Sequence, residues 1–284
     1  MIAVTGVSGQ LGRLVIEKLL KTQAASNIVA LVRTPAKVAD LAEKGMIVRQ
    51  ADYDDEASFV SALAGVEKLL LISSSEIGKR ASQHSNVINA AKKAGVKLIA
   101  YTSVLHADRS PLGLAAEHVA TEAMLKESGV PYALLRNGWY TENYMASVPV
   151  AVQHGALLGA AEDGKIASAS REDYAEAASV VIQQADVAGK VFELAGDESY
   201  TLSQLAAEIG KQAGKTVAYQ NLPVADYQST LESFGLPAPL ANLIANSDGG
   251  AAKGGLFDDS RTLSALIGRA TTPLAQSVKA ALGN

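Results

Sequence analysis

Six short apolar runs alternate with stretches of helical period in the first 135 residues, and this alternation constrains the fold more than any other feature. Each run is rich in Val, Ile or Leu and is continuous rather than alternating, which is typical of parallel strands buried on both faces. The chain therefore predicts an α/β fold, a doubly wound parallel sheet with right-handed crossovers. The predicted strands are Ile2–Thr5, Ile28–Val32, Met46–Gln50, Lys68–Ile72, Lys97–Thr102 and Tyr132–Leu135.

Helical period fills the segments between these runs. One segment begins with Pro35 in its first turn and ends before Gly45, and another ends at Gly95, which fits a helix C-cap. The segment after the first strand places five apolar side chains on one stripe, with charged residues opposite. The residues of that stripe are Leu11, Leu14, Val15, Leu19 and Leu20.

The pattern becomes irregular after the sixth run, and we predict two domains. Residues 1–150 form the larger one, and residues 151–284 form a smaller C-terminal lobe that lines a substrate cleft. Elements within residues 170–195 complete the sheet of the larger domain, so the two domains interleave in sequence. Glycine pairs near the end of the chain indicate short, irregular structure there. The elements predicted beyond residue 150 are helices at 173–184 and 201–213, with Thr201 as an N-cap, and strands at 191–194 and 215–220.

The composition removes several classes of function. The chain has no cysteine and four scattered histidines, so disulfides and thiolate nucleophiles are excluded and no metal site is expected. A net charge of −4 without a basic cluster argues against nucleic acid as a partner. Apolar runs such as Leu69–Ile72 are far shorter than the ~20 residues of a membrane span. No secretory signal is visible, so we expect a cytoplasmic protein; its oligomeric state stays open, a homo-oligomer included.

A glycine-rich turn joins the first strand to the first helix. Its GxxGxxG spacing ends at Gly12, which lets the helix pack closely on the sheet, and its open N–H groups and the helix dipole favour a pyrophosphate. The alternative is an ordinary glycine turn. The position predicts a Rossmann domain of the short-chain-dehydrogenase type that binds a dinucleotide. The residues expected to contact it are Gly6, Val7, Ser8, Gly9, Gln10 and Leu11.

The second strand ends at Arg33, and this residue indicates which dinucleotide binds. A domain that selects NAD usually carries an acid here for the ribose 2′-OH, but no carboxylate lies between Arg33 and Asp40. A guanidinium can pair with a 2′-phosphate, and Lys37 adds a second charge, so we predict NADPH as the cofactor. A solvated surface arginine is the alternative.

Three hydroxyl residues, Ser73, Ser74 and Ser75, follow the fourth strand. Ligands of open α/β sheets lie at the carboxyl ends of strands, and small side chains let a cofactor pass closely. We therefore expect these serines to bind the cofactor, the alternative being a polar turn without contact.

The Tyr-x-x-x-Lys pair of short-chain dehydrogenases is missing from the helix after the fifth strand. The corresponding positions hold His118 and Glu122, and Glu122 would not lower the pKa of a tyrosine. An acceptor that needs little help from a general acid, such as a quinone, fits this chain better than a ketone. We expect His118 to be a surface histidine, with a substitute acid as the alternative.

An aromatic segment follows the sixth strand, where a nicotinamide would lie. Its flat side chains suit a planar acceptor, and an amide N–H can polarise a quinone oxygen. Asn143 is the best candidate for this donor, with Tyr144 as a second one. Aromatic filling between the lobes is the alternative. The segment contributes Gly138, Trp139, Tyr140 and Asn143 to the expected cofactor site.

Together these segments resemble the NmrA-like branch of the atypical short-chain dehydrogenases/reductases. The resemblance implies an enzyme that reduces quinones with NADPH by two electrons, without flavin or metal. It implies that the glycine turn, Arg33, the three serines and residues 138–143 line the cofactor, and that Asn143 matters for hydride transfer. It spans almost the whole chain and is carried by Met1–Gly6, Leu69–Ser75, Ala100–Asp108, Leu134–Tyr144 and Gly254–Asp259.

Two alternatives remain from the same resemblance. A non-catalytic regulator of the NmrA type would bind NADP(H) without oxidising it in the presence of an acceptor. Isoflavone-reductase-like proteins reduce a double bond or an aldehyde, but they usually carry a lysine after the fifth strand. This chain has His118 and Glu122 there, and Lys126 lies one turn further.

Overall fold

The computed structural model describes residues 1–283 and contains helices on a parallel sheet. The strands are three to seven residues long, and those at Ile2–Val4, Ile28–Val32 and Leu98–Val104 are buried along their whole length. The strands are β1 (Ile2–Val4), β2 (Ile28–Val32), β3 (Ile47–Gln50), β4 (Lys68–Leu71), β5 (Leu98–Val104), β6 (Tyr132–Asn137), β7 (Ala156–Gly159), β8 (Val191–Leu194) and β9 (Ala218–Asn221).

The helices connect these strands and fill most of the chain after residue 200. They are α1 (Gln10–Leu19), α2 (Ala39–Glu43), α3 (Glu56–Ala62), α4 (Arg80–Lys93), α5 (Ala115–Ser128), α6 (Thr141–Met145), α7 (Val148–His154), α8 (Arg171–Gln183), α9 (Leu202–Ala213), α10 (Val224–Ser233), α11 (Ala238–Ala252), α12 (Thr262–Ile267) and α13 (Leu274–Ala281).

Within residues 1–283, seven strands form one sheet in the order β3-β2-β1-β4-β5-β6-β8. The pairs from β3 through β6 are all parallel. The order reverses direction between β1 and β4, which makes the carboxyl ends of these two strands the switch point where such sheets bind ligands. The predicted doubly wound Rossmann sheet is confirmed. A second sheet pairs β7 with β9, also in parallel.

The chain divides into two compact units that interleave in sequence. The predicted boundary at residue 150 differs from the observed one, because the segment after β6 already pairs with later residues: Gly138 N–H donates to the Leu194 carbonyl oxygen (2.7 Å). Unit 1 comprises Met1–Ala107, Ala116–Asn137 and Arg171–Phe192, and unit 2 comprises Asp108–Ala115, Gly138–Ser170 and the chain from Glu193 onward.

The core of unit 1 consists of strand side chains and the helices that cover them. Tyr101 and Phe59 are among its largest buried side chains. Continuous burial of β1, β2 and β5 follows from the continuous apolar runs, because both faces of these strands lie under helices. In unit 2, Ala160, Tyr227 and Ala245 form a smaller apolar cluster.

The helix predicted at 201–213 is confirmed, including its start. Thr201 Oγ1 accepts a hydrogen bond from the Gln204 N–H, and the Gln204 side chain accepts one from the Thr201 N–H. This reciprocal capping box satisfies two N–H groups that the first turn cannot pair internally.

Three local predictions differ from the structure. The strand β7 was not predicted, because four residues pair only with β9, about 60 positions later. The helix predicted from Pro35 is divided into a 3₁₀ turn and the short α2. The glycine pair at 249–250 lies inside α11, where the Leu112 side chain packs so closely that a Cβ on Gly250 would lie 2.4 Å from it.

Candidate functional site

The turn after β1 is shaped by two of its glycines. Gly6 has φ +63°, a left-handed conformation that side chains rarely adopt. A Cβ on Gly12 would lie 2.4 Å from the Gly6 carbonyl oxygen, so only glycine allows α1 to pack against this turn. The turn itself is closed by a hydrogen bond from the Gly9 N–H to the Gly6 carbonyl oxygen (2.9 Å).

The first turn of α1 offers its N–H groups to an anion. Its N-cap is Gly9, and within residues 1–283 no side chain caps this helix end. Ser8, Gly9 and Gln10 are exposed, whereas the side chains of Val7 and Leu11 are buried. Val7 and Leu11 can therefore contact a ligand only through their backbone. A glycine turn without side chains, leading into an uncapped helix, fits a dinucleotide pyrophosphate.

A partly buried tyrosine, which was not predicted from the sequence, connects the two strands of the switch point. The Tyr53 hydroxyl lies 2.7 Å from both Thr5 Oγ1 and the Ile72 carbonyl oxygen. Thr5 Oγ1 also accepts a hydrogen bond from the Ile72 N–H (2.8 Å). Thr5 follows β1 and Ile72 follows β4, so these bonds hold the two strand ends together. A lone tyrosine after the third strand gives no local signal of this contact.

The end of β2 presents a guanidinium to solvent. The Arg33 side chain is 66% exposed, and its Nη1 lies 3.7 Å from the Glu76 carboxylate. Glu76 also pairs with Lys79, whose Nζ lies 3.2 Å from the second carboxylate oxygen. An exposed guanidinium with one weak partner is available to a 2′-phosphate. Nearby, Arg13 donates to both Asp40 carboxylate oxygens and to a backbone carbonyl, which fixes the loop after β2.

The β4 tip, Ser73–Ser75, has one buried and two more accessible residues. Ser74 is 7% exposed, and its hydroxyl donates to the Gln83 side chain. Ser73 is half-buried and its N–H donates to Thr102 Oγ1 (2.8 Å), while Ser75 is exposed. The hydroxyl groups of the tip therefore face different surroundings, with Ser74 directed into unit 1.

The helix α5 holds the two residues found in place of the missing Tyr–Lys pair. His118 is 4% exposed and its Nδ1 lies 2.7 Å from the Tyr101 hydroxyl, so the expectation of a surface histidine is wrong. Burial lowers the pKa of His118 to about 3. Glu122 forms a two-pronged ion pair with Arg136 (2.7 and 3.0 Å) and accepts from Ser103. Neither residue reproduces the proton donor of short-chain dehydrogenases.

The aromatic segment belongs to unit 2 and is anchored there by its backbone. The Trp139 carbonyl oxygen accepts from the Ala169 N–H, and the Thr141 N–H donates to the Ala169 carbonyl oxygen. Three buried hydroxyl groups also form a series of hydrogen bonds. Thr141 Oγ1 lies 2.8 Å from Ser168 Oγ, and Ser168 Oγ lies 2.7 Å from the Tyr200 hydroxyl. These contacts fix the start of α6, the helix that carries Asn143.

Asn143 and Tyr144 occupy opposite environments although they are adjacent. Asn143 is exposed. The Tyr144 side chain is buried, and its hydroxyl donates to Asp248 Oδ1 (2.9 Å), while Asp248 Oδ2 accepts from the Ala160 N–H. Burial raises the pKa of Asp248 to about 6 and also raises the pKa of Tyr144. The Tyr144 hydroxyl is thus engaged inside unit 2, while the side chain of Asn143 reaches solvent.

The sheet order, the glycine turn and the exposed arginine after β2 define a Rossmann-type dinucleotide-binding protein. The chain belongs to the NmrA-like family, whose model matches residues 1–276. The family predicted from the sequence is confirmed. Among residues 1–283, no helix combines the length and hydropathy needed to cross a membrane.

Two similar proteins cover nearly the whole chain. Quinone oxidoreductase 2 of Escherichia coli (strain K12) is 66% identical over 278 residues, covering 98% of this chain and 97% of that protein. A crystal structure of NADPH-dependent quinone oxidoreductase QOR2 from the same species, complexed with NADPH, superimposes with a TM-score of 0.98 and covers 100% of both chains. The triphenylmethane reductase of Citrobacter sp., complexed with NADP(H), is 37% identical with a TM-score of 0.95, covering 99% of this chain and 100% of that one.

Proposed function

We propose that this protein is an enzyme that reduces quinones to hydroquinones with NADPH. The observation that carries the proposal is its 66% identity to quinone oxidoreductase 2 of Escherichia coli over 98% of the chain. The superposition on the NADPH complex of QOR2 supports NADPH as the cofactor. The uncapped α1 and the exposed Arg33 give the physical basis for binding it.

The proposed cofactor site uses backbone for the pyrophosphate and side chains for the phosphorylated ribose. Gly6–Leu11 supplies N–H groups at the start of α1, and Arg33 supplies the positive charge for the 2′-phosphate. Ser73 and Ser75 of the β4 tip line the path of the cofactor. Gly138, Trp139 and Tyr140, which directly follow β6, are proposed to approach the nicotinamide.

Bound NADPH supplies a hydride, and with one proton from solvent the quinone becomes a hydroquinone. The exposed Asn143 is the proposed catalytic residue, because its amide N–H can donate to the quinone oxygen that gains negative charge. Tyr144 is kept out of this role, since its hydroxyl donates to Asp248.

The absence of a Tyr-x-x-x-Lys pair from α5 supports a quinone as the acceptor. His118 is neutral at pH 7 and bonded to Tyr101, and Glu122 is paired with Arg136. Reduction of a ketone creates an alkoxide that requires a general acid, whereas the oxyanion of a hydroquinone is delocalised and far more stable. The chain can therefore reduce a quinone without a tyrosine–lysine pair.

Stopped-flow oxidation of NADPH tests this function. With 1,4-benzoquinone or a naphthoquinone and no added flavin, we expect acceptor-dependent loss of NADPH absorbance, slowed when C4 of the nicotinamide carries deuterium. A requirement for added flavin would overturn direct transfer. Binding of both NADPH and NADP without any oxidation would instead favour a non-catalytic regulator.

Arg33→Ala tests the cofactor assignment. Loss of a charge-assisted hydrogen bond, worth about 1.5–3 kcal/mol, should weaken NADPH binding by ~10- to 150-fold and leave NADH binding unchanged. Calorimetric titration measures both. Lys21→Ala is the matched control, because it removes one exposed positive charge beyond the opposite end of α1. Equal losses for NADPH and NADH would contradict the assignment.

A further inference from the structure

A buried histidine lies directly beneath the β4 tip and has no part in the proposed chemistry. His84, on α4, has no solvent exposure. Its Nε2 lies 2.9 Å from the Ser74 backbone nitrogen, and its Nδ1 lies 2.9 Å from Thr121 Oγ1 on α5. One imidazole therefore links the tip of a strand to two helices.

The contacts of His84 determine which ring nitrogen carries the proton. A backbone N–H can only donate, so Nε2 must accept from Ser74 with its lone pair. The proton of the neutral ring is then on Nδ1, which donates to Thr121 Oγ1. Thr121 Oγ1 accepts this bond, and its own hydroxyl donates a hydrogen bond to the Glu117 carbonyl oxygen (2.9 Å). Each donor in this series of hydrogen bonds, from Ser74 through His84 to Thr121, therefore has one acceptor.

The surroundings of His84 keep the ring neutral. The Tyr101 ring meets it edge-on with centroids 5.3 Å apart, and the Tyr53 ring lies 6.2 Å away. Burial, with a smaller contribution from the positive charge of Arg80, lowers the pKa of His84 to about 3. A protonated ring would also place an N–H against the Ser74 N–H. The ring is therefore a hydrogen-bond acceptor for Ser74 throughout the physiological range.

One turn of α4 binds every polar group of Ser74. His84 accepts from its N–H, Gln83 accepts from its hydroxyl, and the Arg80 Nε donates to its carbonyl oxygen. The Gln83 amide in turn donates to Asp54 (3.1 Å). Ser74 is thus anchored in all directions, which fixes the backbone on either side of it, at Ser73 and Ser75.

We propose that His84 is a positioning residue for the cofactor, which holds the β4 tip through Ser74 so that Ser73 and Ser75 face the bound dinucleotide. This inference rests on the proposed function, because it takes the β4 tip to be part of the NADPH site. His84 itself is fully buried, and we assign it no contact with the cofactor. Its Nδ1-protonated form is required, since the other tautomer would leave the Ser74 N–H without an acceptor.

Two substitutions in the full chain separate positioning from packing. His84→Gln keeps an acceptor near the position of Nε2, while His84→Asn keeps a polar group near Nδ1 and leaves the Ser74 N–H unpaired. Both remove the ring contact with Tyr101, so both should lower the melting temperature. An unpaired Ser74 N–H should turn towards another acceptor and displace the β4 tip, so we expect only His84→Asn to weaken NADPH binding, by about tenfold, with His84→Gln within ~3-fold of wild type.

Calorimetric titration with NADPH at 25 °C, where both variants are folded, measures this difference. Equal weakening by the two variants, or wild-type affinity in His84→Asn, would overturn the proposal. The same assay with Arg33→Ala separates a failure of the positioning role from a failure of the proposed function. If Arg33→Ala weakens binding and His84→Asn does not, the positioning role fails alone; if wild type does not bind NADPH, the proposed function fails.

Nitrogen NMR of the wild-type histidines gives a second readout that needs no variant. We expect His84 to show one Nδ1-protonated tautomer with unchanged shifts from pH 5 to 8. An Nε2-protonated ring, or a titration midpoint near 6.5, would refute the proposed hydrogen-bond pattern even if His84→Asn failed to fold.

Discussion

The two units carry their candidate functional groups in different ways. In unit 1, the proposed phosphate site is made of backbone, namely strand ends, a glycine turn and a helix N-terminus. In unit 2, the exposed Asn143 depends on buried side chains, with Thr141, Ser168 and Tyr200 in one chain and Tyr144 with Asp248 in another. A backbone site is set by local glycine spacing, whereas a side-chain site depends on residues far apart in sequence.

The largest effect on NADPH affinity is expected from adding a side chain at Gly12, in the backbone site of unit 1. The Cβ of Gly12→Ala would lie 2.4 Å from the Gly6 carbonyl oxygen, so the turn must move and the N–H groups lose their alignment. We expect NADPH affinity to fall more than ~100-fold by calorimetry, the equivalent of ~3 kcal/mol. Gly113→Ala is the control, because its Cβ would meet no atom within 4 Å. Wild-type affinity in Gly12→Ala would remove the turn from the site.

The buried acid of unit 2 should make stability depend on pH. The pKa of Asp248 is raised from 3.8 to about 6, so the folded chain keeps a proton that the unfolded chain has lost between these values. This contribution to stability is complete below pH 3.8 and is lost as pH rises through 6. Relative to Asp248→Asn, the wild-type free energy of unfolding should fall by on the order of 3 kcal/mol between pH 4 and 7.

Urea unfolding of both proteins at the two pH values measures this difference. Asp259→Asn provides the control, since Asp259 is exposed. The opposite result would be a wild-type protein that gains stability relative to Asp248→Asn as pH rises. It would show that the hydrogen bonds to ionised Asp248 stabilise the fold by more than burial of its charge destabilises it.

Removal of the Asn143 side chain tests the side-chain site itself. If its amide stabilises charge on the quinone oxygen, Asn143→Ala should lower kcat by about 10- to 100-fold, with little change in the Kd for NADPH. Asn246→Ala is the matched control, an exposed asparagine on α11 in the same unit. A loss of NADPH affinity without a loss of kcat would make Asn143 a cofactor contact only.

The smallest expected effect concerns Glu76, which shares Arg33 with the proposed 2′-phosphate. Its carboxylate competes for the guanidinium and repels the phosphate, so Glu76→Gln should strengthen NADPH binding by ~2- to 5-fold, as befits an exposed pair. NADH binding should not change. Affinity measured at low and high salt checks the cause, because screening should diminish the gain. Weaker NADPH binding would mean that Glu76 orients Arg33 instead.

The strands of unit 1 could be predicted from sequence because their apolar runs are continuous and local. The glycine turn and Arg33 were accessible for the same reason: each is identified by its place next to a strand. His118 was misassigned because its helix has no clear apolar stripe, and its burial depends on contact with Tyr101, 17 positions earlier.

The side-chain contacts that support the candidate site could not be predicted from the sequence. Tyr53 joins residues after β1 and β4, His84 joins α4 to α5, and Asp248 lies 104 positions from Tyr144. Nothing in the local sequence around these residues marks them as partners. The same holds for β7, whose partner strand is distant, and for the glycines inside α11.

The ion pair between Glu122 and Arg136 opposes the introduction of a Tyr-x-x-x-Lys pair on α5. Both side chains are about nine-tenths shielded from solvent. A lysine at position 122 would face the guanidinium at close range, and breaking a buried pair typically costs about 3–5 kcal/mol. Introducing a tyrosine at position 118 and a lysine at position 122 would therefore also require a compensating change at Arg136.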